Sequence, residues 1–194
     1  MLRELLYLTV MQLKTIRAYL VGYVFFSLLF PLGFMLAFKS YVPSVYLISG
    51  TLTAYVFTST FTSVAVVMSR ERELGRYALI FVSGVSAELY SLSIALAQVI
   101  SDTVPFVTII ALGFLLFHIE IESIPLLVLA LASSIFLASS FGSFLASIIR
   151  NSYQVSQYSN VLSFALTFFA PVYYPMSFIP TPFRYLVLIE PSTY

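Results

Sequence analysis

Residues 45–68 read VYLISGTLTAYVFTSTFTSVAVVM, and residues 69–76 continue as SRERELGR. The first stretch carries no charged side chain and exceeds the roughly 20 apolar residues a helix needs to cross a bilayer. The second then places Arg70, Glu71, Arg72, Glu73 and Arg76 within two turns. An apolar span that ends abruptly in charge is the signature of a helix leaving a membrane, and it predicts an all-α polytopic membrane protein.

Working outward, residues 18–38, 90–117 and 125–149 are also long enough to span. Residues 155–170 form a shorter run, which gains length by including Tyr153 or by bending at Pro171. Five spanning helices are therefore expected within a single transmembrane domain, 1–194. Asp102 and Pro105 interrupt the third run. Pro105 kinks one long helix there, or divides it into two half-helices.

Composition agrees. The chain is 60% hydrophobic and 9% charged, with a mean hydropathy of +1.01, whereas a soluble domain carries about 25% charged residues. Nine Lys plus Arg against eight Asp plus Glu give a net charge of +1, which supplies no basic stripe for nucleic acid. There is no cysteine, which excludes disulfides and thiolate metal sites. Placing the N-terminus in the cytoplasm puts Arg3, Lys14, Arg17, Arg70, Arg72, Arg76 and Arg150 inside and only Lys39 and Arg184 outside. That bias predicts a multi-pass protein of the cell membrane in this orientation. The outer loops, residues 39–44 and 118–123, are too short to hold a folded module.

Residues 1–17 scatter charge among apolar residues and do not read as a cleavable signal. Leu2, Leu5, Leu6, Thr9, Leu13 and Ile16 share one helical face, opposite Arg3, Glu4, Lys14, Thr15 and Arg17. This pattern predicts a helix lying in the membrane interface, the alternative being an extension of the first span.

The connection 69–89 is the longest on the cytoplasmic side. Its charges alternate in sign from Arg70 to Arg76, and Tyr77, Leu79, Ile80 and Phe81 then supply a short apolar face. A brief amphipathic helix at the membrane surface is expected. Gly84 should break it, and Ser86 should cap the next helix with Glu88 in its first turn. The segment is either a solvated loop whose charges fix topology or a docking surface for a cytoplasmic partner.

Three further features bear on function. Thr51, Tyr55, Thr58, Ser59 and Thr62 recur at helical spacing on the second span, and Asp102 is an acid within the third. They either line a pathway or bond helix to helix. Ser134, Ala138, Gly142 and Ala146 place small residues every fourth position, a pattern for close helix packing. Finally, Pro171, Pro175, Pro180, Pro182 and Pro191 break the apolar tail. Non-helical backbone at membrane depth survives only where protein or a water-filled cavity satisfies it, so this segment is expected to pack near an exit, or else to lie on the outer surface.

Two motifs carry a resemblance. RERELG at 70–75 followed by VSGVS at 82–86, and Pro175, Met176, Ser177 and Pro180 followed by EPSTY at 190–194, make the chain similar to ABC-2 type transporter permeases, the membrane subunits of type V ATP-binding cassette exporters. Gly84 stands where that family usually has proline, and Glu190 where asparagine is common. The resemblance implies that the connection is a coupling helix for a partner ATPase, with Arg70, Glu71, Arg72, Glu73, Leu74, Gly75, Arg76, Leu79 and Phe81 as its socket. It implies a re-entrant hairpin over 171–194, carrying Pro175, Pro180, Pro182 and Pro191. The pathway candidates are Thr51, Tyr55, Thr58, Thr62 and Asp102. In that family a sixth helix follows the hairpin, so the sequence reads as a truncated form or a five-span variant.

No G-x-x-x-x-G-K-[ST] loop occurs, so ATP and Mg are expected on a separate ATP-binding cassette subunit and not on this chain. The resemblance also implies a second permease chain, in a homodimer or heterodimer. The expected function is export of a hydrophobic or amphipathic solute, drug-like or lipid-like. The alternatives are an ion-coupled secondary transporter or channel, and a non-transporting structural membrane protein. An intramembrane hydrolase is poorly supported, because His118 is the sole histidine and neither G-x-S-x-G nor H-E-x-x-H is present.

Overall fold

The computed structural model describes residues 2–17, 20–118, 123–169, 173, 176 and 179–187. They form eight helices in chain order: α1 (Leu2–Arg17), α2 (Leu20–Phe38), α3 (Ser44–Glu73), α4 (Arg76–Val82), α5 (Ala87–Phe117), α6 (Ile124–Ile148), α7 (Ser152–Phe169) and α8 (Thr181–Val187). No strand occurs among the described residues.

Three of these, α3, α5 and α6, are long and apolar enough to cross a membrane among the described residues. At about 1.5 Å per residue, the 30 residues of α3 extend about 45 Å, beyond a hydrocarbon core of about 30 Å. Its last turns, Arg70 to Glu73, therefore project past the apolar stretch. The expected first span is helical as α2, 19 residues long with Pro31 inside. The expected fifth coincides with α7, whose first half carries Gln154, Gln157 and Asn160 and so dilutes its apolar character.

α3 is the centre of the bundle, packing chiefly against α6, then α7 and α5. Its buried residues Leu47, Ile48, Leu52, Val56, Phe57, Phe61 and Val64 feed successive core clusters along its length. The hydrophobic effect is weak between helices in lipid, so close packing must hold them together. Ala138, Gly142 and Ala146 are the buried residues of α6. A Cβ at Gly142 would stand 2.7 Å from the Phe61 carbonyl oxygen, so the small-residue spacing read in the sequence is what lets the two backbones meet.

α5 continues unbroken through Pro105, which selects the single-helix reading. It begins as expected: the Ser86 hydroxyl accepts the Leu89 N–H at 3.2 Å, and Glu88 lies in the first turn. It ends at His118, an exposed residue in the left-handed region with φ 51°.

α1 is helical as expected, and the side it packs on the bundle includes Leu5, Thr9 and Leu13 of the expected apolar face together with Gln12. Thr9 and Gln12 are buried where α1 packs on α5, whereas Leu6, Tyr7, Val10 and Met11 stand exposed. Gln12 finds a partner on α5, its Nε2 donating to the Tyr90 hydroxyl at 3.1 Å, whereas the Thr9 hydroxyl donates to the Leu5 carbonyl of its own helix at 2.8 Å.

Candidate functional site

The charged end of the bundle is built around the last turn of α3. The Arg72 guanidinium donates to the carbonyls of Ser147 and Ile149, at the end of α6. The Glu73 carboxylate accepts the backbone N–H and the hydroxyl of Ser152, the first residue of α7. Helix C-termini carry partial negative charge and unpaired carbonyls, and N-termini carry partial positive charge and unpaired N–H groups. Adjacent residues of opposite sign thus cap opposite ends of consecutive helices. The Ser152 hydrogen bonds, through the side chain first and the backbone second, hold the Glu73 carboxyl below its ordinary range.

The chain then reverses at Gly75, whose φ of +70° is open to glycine at little cost. Glu71 is 8% exposed and its Oε1 lies 3.4 Å from Arg76 Nη1, tying the start of α4 to α3. Arg70 is exposed.

α4 has two sides. Tyr77 and Ile80 face the bundle, packed on the cluster of Val64, Tyr90 and Ile94. The Tyr77 ring meets the Tyr90 ring edge-on at 5.6 Å and the Phe81 ring at 4.5 Å. Burial pushes the Tyr77 phenol above its ordinary pKa, the Arg72 charge opposing, so it stays neutral. Leu79 and Val82 face outward, at 69% and 87% exposure, and Leu74, the C-cap of α3, is exposed beside them. Of the expected apolar pair, Leu79 is free of the bundle while Phe81 leans on Tyr77. Through Tyr77, Tyr90 and Gln12, α4 is in mechanical contact with both α5 and α1.

The second group lies inside the bundle. Asp102 is 0% exposed. Its carboxylate accepts hydrogen bonds from Ser59 Oγ at 2.8 and 3.0 Å, from Gln98 Nε2 at 3.0 Å and from the Tyr55 hydroxyl at 3.2 Å. Gln98 Nε2 also donates to Ser59 Oγ at 2.9 Å. The other hydroxyls of the α3 stripe go elsewhere. Thr51 bonds the Leu47 carbonyl of its own helix, Thr58 meets Thr167 of α7 at 3.3 Å, and Thr62 Oγ1 has no hydrogen-bond partner among the described residues. The stripe is thus divided between α5 and α7. Gln98, one turn before Asp102, is a member that sequence reading missed; its i,i+4 spacing was the available signal.

A third feature was also missed. α7 buries Val155, Ser159 and Ser163 against the bundle, while Gln154, Gln157, Tyr158 and Asn160 stand exposed on its outer side. Among the described residues no group of three His, Cys, Asp or Glu could hold a metal ion.

Of the proline segment, Pro180 precedes α8 and Pro182 is its second residue; Pro175 and Pro191 lie outside the described residues. Ile179 and Val187 are buried, and the Tyr173 ring packs on Phe34 of α2 at 4.9 Å, so this segment touches the bundle.

A family model described as ABC-2 type transporter matches residues 2–194. No curated protein matches the chain.

Proposed function

The chain belongs to the ABC-2 type transporter family, and we propose that it is the permease subunit of an ATP-driven exporter. ATP would be hydrolysed by a separate ATP-binding cassette subunit, and two permease chains would frame the path. The charged end of the bundle is then cytoplasmic, as the distribution of Lys and Arg suggests.

The observation that carries this reading is the two-sidedness of α4. Its inner side is keyed through Tyr77 to α5 and α1, and its outer side presents Leu79 and Val82. A helix exposed on one side and anchored on the other is suited to receive a push. Arg72 and Glu73, just before it, hold the junction of α6 and α7, so motion of α4 has a short route to α7. The exposed amides of α7 support a polar surface on the path, because Gln and Asn facing lipid alone are costly. The solute is proposed to be hydrophobic or amphipathic, in keeping with an interior of aromatic and aliphatic residues. The segment 171–194 is proposed as a re-entrant hairpin packed against other helices near the exit.

A second reading, an ion-coupled carrier, draws on Asp102, since an ionisable group inside a membrane is a functional candidate. Its hydrogen bonds to Ser59, Gln98 and Tyr55 favour a packing role instead.

The test uses the absence of cysteine. Leu79→Cys gives the chain a single thiol, and a short thiol-reactive photocrosslinker placed there in native membranes should capture a protein that carries a phosphate loop. Capture of lipid only, or of this chain only, would sink the proposal.

A further inference from the structure

α7 presents two unlike sides. It buries Val155, Ser159 and Ser163, and away from them it exposes Tyr153, Gln157, Asn160 and Phe164. Those four follow one another at intervals of four, three and four residues, so at about 3.6 residues per turn they fall within a strip about 60° wide. Alternating steps of three and four are the register in which one helix packs lengthwise on another.

Two contacts set the depth of the strip. Ser152 meets Glu73 and Thr167 meets Thr58, so α7 runs antiparallel to α3 and in step with it. Arg70 is the innermost charged residue of α3. At about 1.5 Å per residue, Gln157 lies about 3 Å and Asn160 about 7 Å beyond the level of Arg70. Both amides thus stand beside the apolar part of a spanning helix, where lipid offers them no hydrogen-bond partner.

Chemistry identifies what covers them. α7 contains no charged residue, so the strip does not select a partner by opposite charge. A carboxamide both donates and accepts, and is therefore complementary to itself. Two chains inserted in the same orientation can bring their α7 helices together in parallel, about a twofold axis that sets Gln157 on Gln157 and Asn160 on Asn160. Tyr153 and Phe164, 72% and 50% exposed, supply a ring at each end of the strip.

We propose that α7 packs along this strip on the α7 of a second copy of the chain. The inference rests on the two-chain part of the proposed function, whose contact it names, and not on ATP hydrolysis. Gln154 and Tyr158, a quarter turn or more around the helix, remain for the path.

The chain has no cysteine, so single thiols can be scanned along α7 in the full-length protein. Tyr153→Cys, Gln157→Cys, Asn160→Cys and Phe164→Cys are compared with Gln154→Cys, Tyr158→Cys and Leu162→Cys, which are exposed off the strip. Each is oxidised in native membranes, and the disulfide-linked dimer is read on a non-reducing gel. The four strip positions should crosslink at least about fivefold more than the three controls, because only there do two Cβ atoms approach closely enough for a disulfide. Tyr153→Cys and Phe164→Cys leave both amides in place, and Gln157→Ala with Asn160→Ala in the Phe164→Cys background should lower its crosslinking by about threefold or more. Native mass spectrometry of each variant in detergent counts the chains independently. A dimer by mass with crosslinks absent, strongest at the controls, made to a different protein, or indifferent to the alanine pair would overturn the strip and leave the two-chain reading standing. A monomer by both measurements would overturn the two together.

Discussion

Arg72 and Glu73, neighbours on the last turn of α3, hold opposite ends of two helices. Arg72 binds the terminal carbonyls of α6, and Glu73 binds the first N–H of α7. A pair that reads in the sequence as surface charge is thus the tie between the central helix and the α6–α7 junction. Replacing Arg72 by Ala removes a cation from a helix C-terminus, which costs about 1 kcal/mol. The expected result is faster amide exchange over 145–150 with little change in α5, measured by hydrogen exchange in detergent. Equal effects throughout the chain would count against a local cap.

The Glu73 cap should depend on pH with a definite sign. Its folded pKa lies below the ordinary 4.5, so its contribution is fully present above that value and is lost as pH falls through the folded pKa. Protection at the start of α7 should decline on acidification below the ordinary glutamate range, and Glu73→Gln should abolish that decline. A pH dependence that survives Glu73→Gln would refute the assignment.

Gly142 faces the Phe61 carbonyl so closely that any side chain must separate α3 from α6. Gly142→Leu should destabilise the bundle by about 2 kcal/mol or more. Gly33, with open space where its Cβ would be, offers a control on α2. Thermal denaturation in detergent should rank Gly142→Leu well below Gly33→Leu, and the reverse order would contradict the packing described.

Asp102 joins α3 to α5 through Ser59, Tyr55 and Gln98. Asp102→Leu strips these donors of their shared acceptor and is expected to cost about 3 kcal/mol. Asp102→Asn retains a carbonyl oxygen and should cost less. If the two lost equal stability while differing in transport, the residue would belong to the path and not to the packing.

The same cluster marks how far the sequence could be read. Periodicity and charge placement disclosed the class of fold, α3 and its charged end, the cap at Ser86, and the small-residue face of α6, because each is a local property of spacing. Which hydroxyl meets which helix was not legible: Tyr55 and Ser59 turn to α5 while Thr58 turns to α7, and only the packing angle of three helices decides that. For the same reason Gln12, a polar residue on a surface helix, gave no sign that α5 would bury it. The capping roles of Arg72 and Glu73 depend on Ile149 and Ser152, more than seventy residues away. No motif spacing reports such a pairing.

The outward face of α4 is where the account is most exposed. Leu79→Glu with Val82→Glu alters only exposed side chains, so insertion and thermal stability should be unchanged while any bound ATPase is lost. The most direct measurement is affinity purification of the chain from its native membrane in mild detergent, wild type beside this double variant, with mass spectrometry of the eluate. A stoichiometric ATPase with a phosphate loop is expected in the wild-type sample and is expected to be missing from the variant. Recovery of the wild-type chain with no ATPase, or of the ATPase in equal amount with the variant, would contradict it.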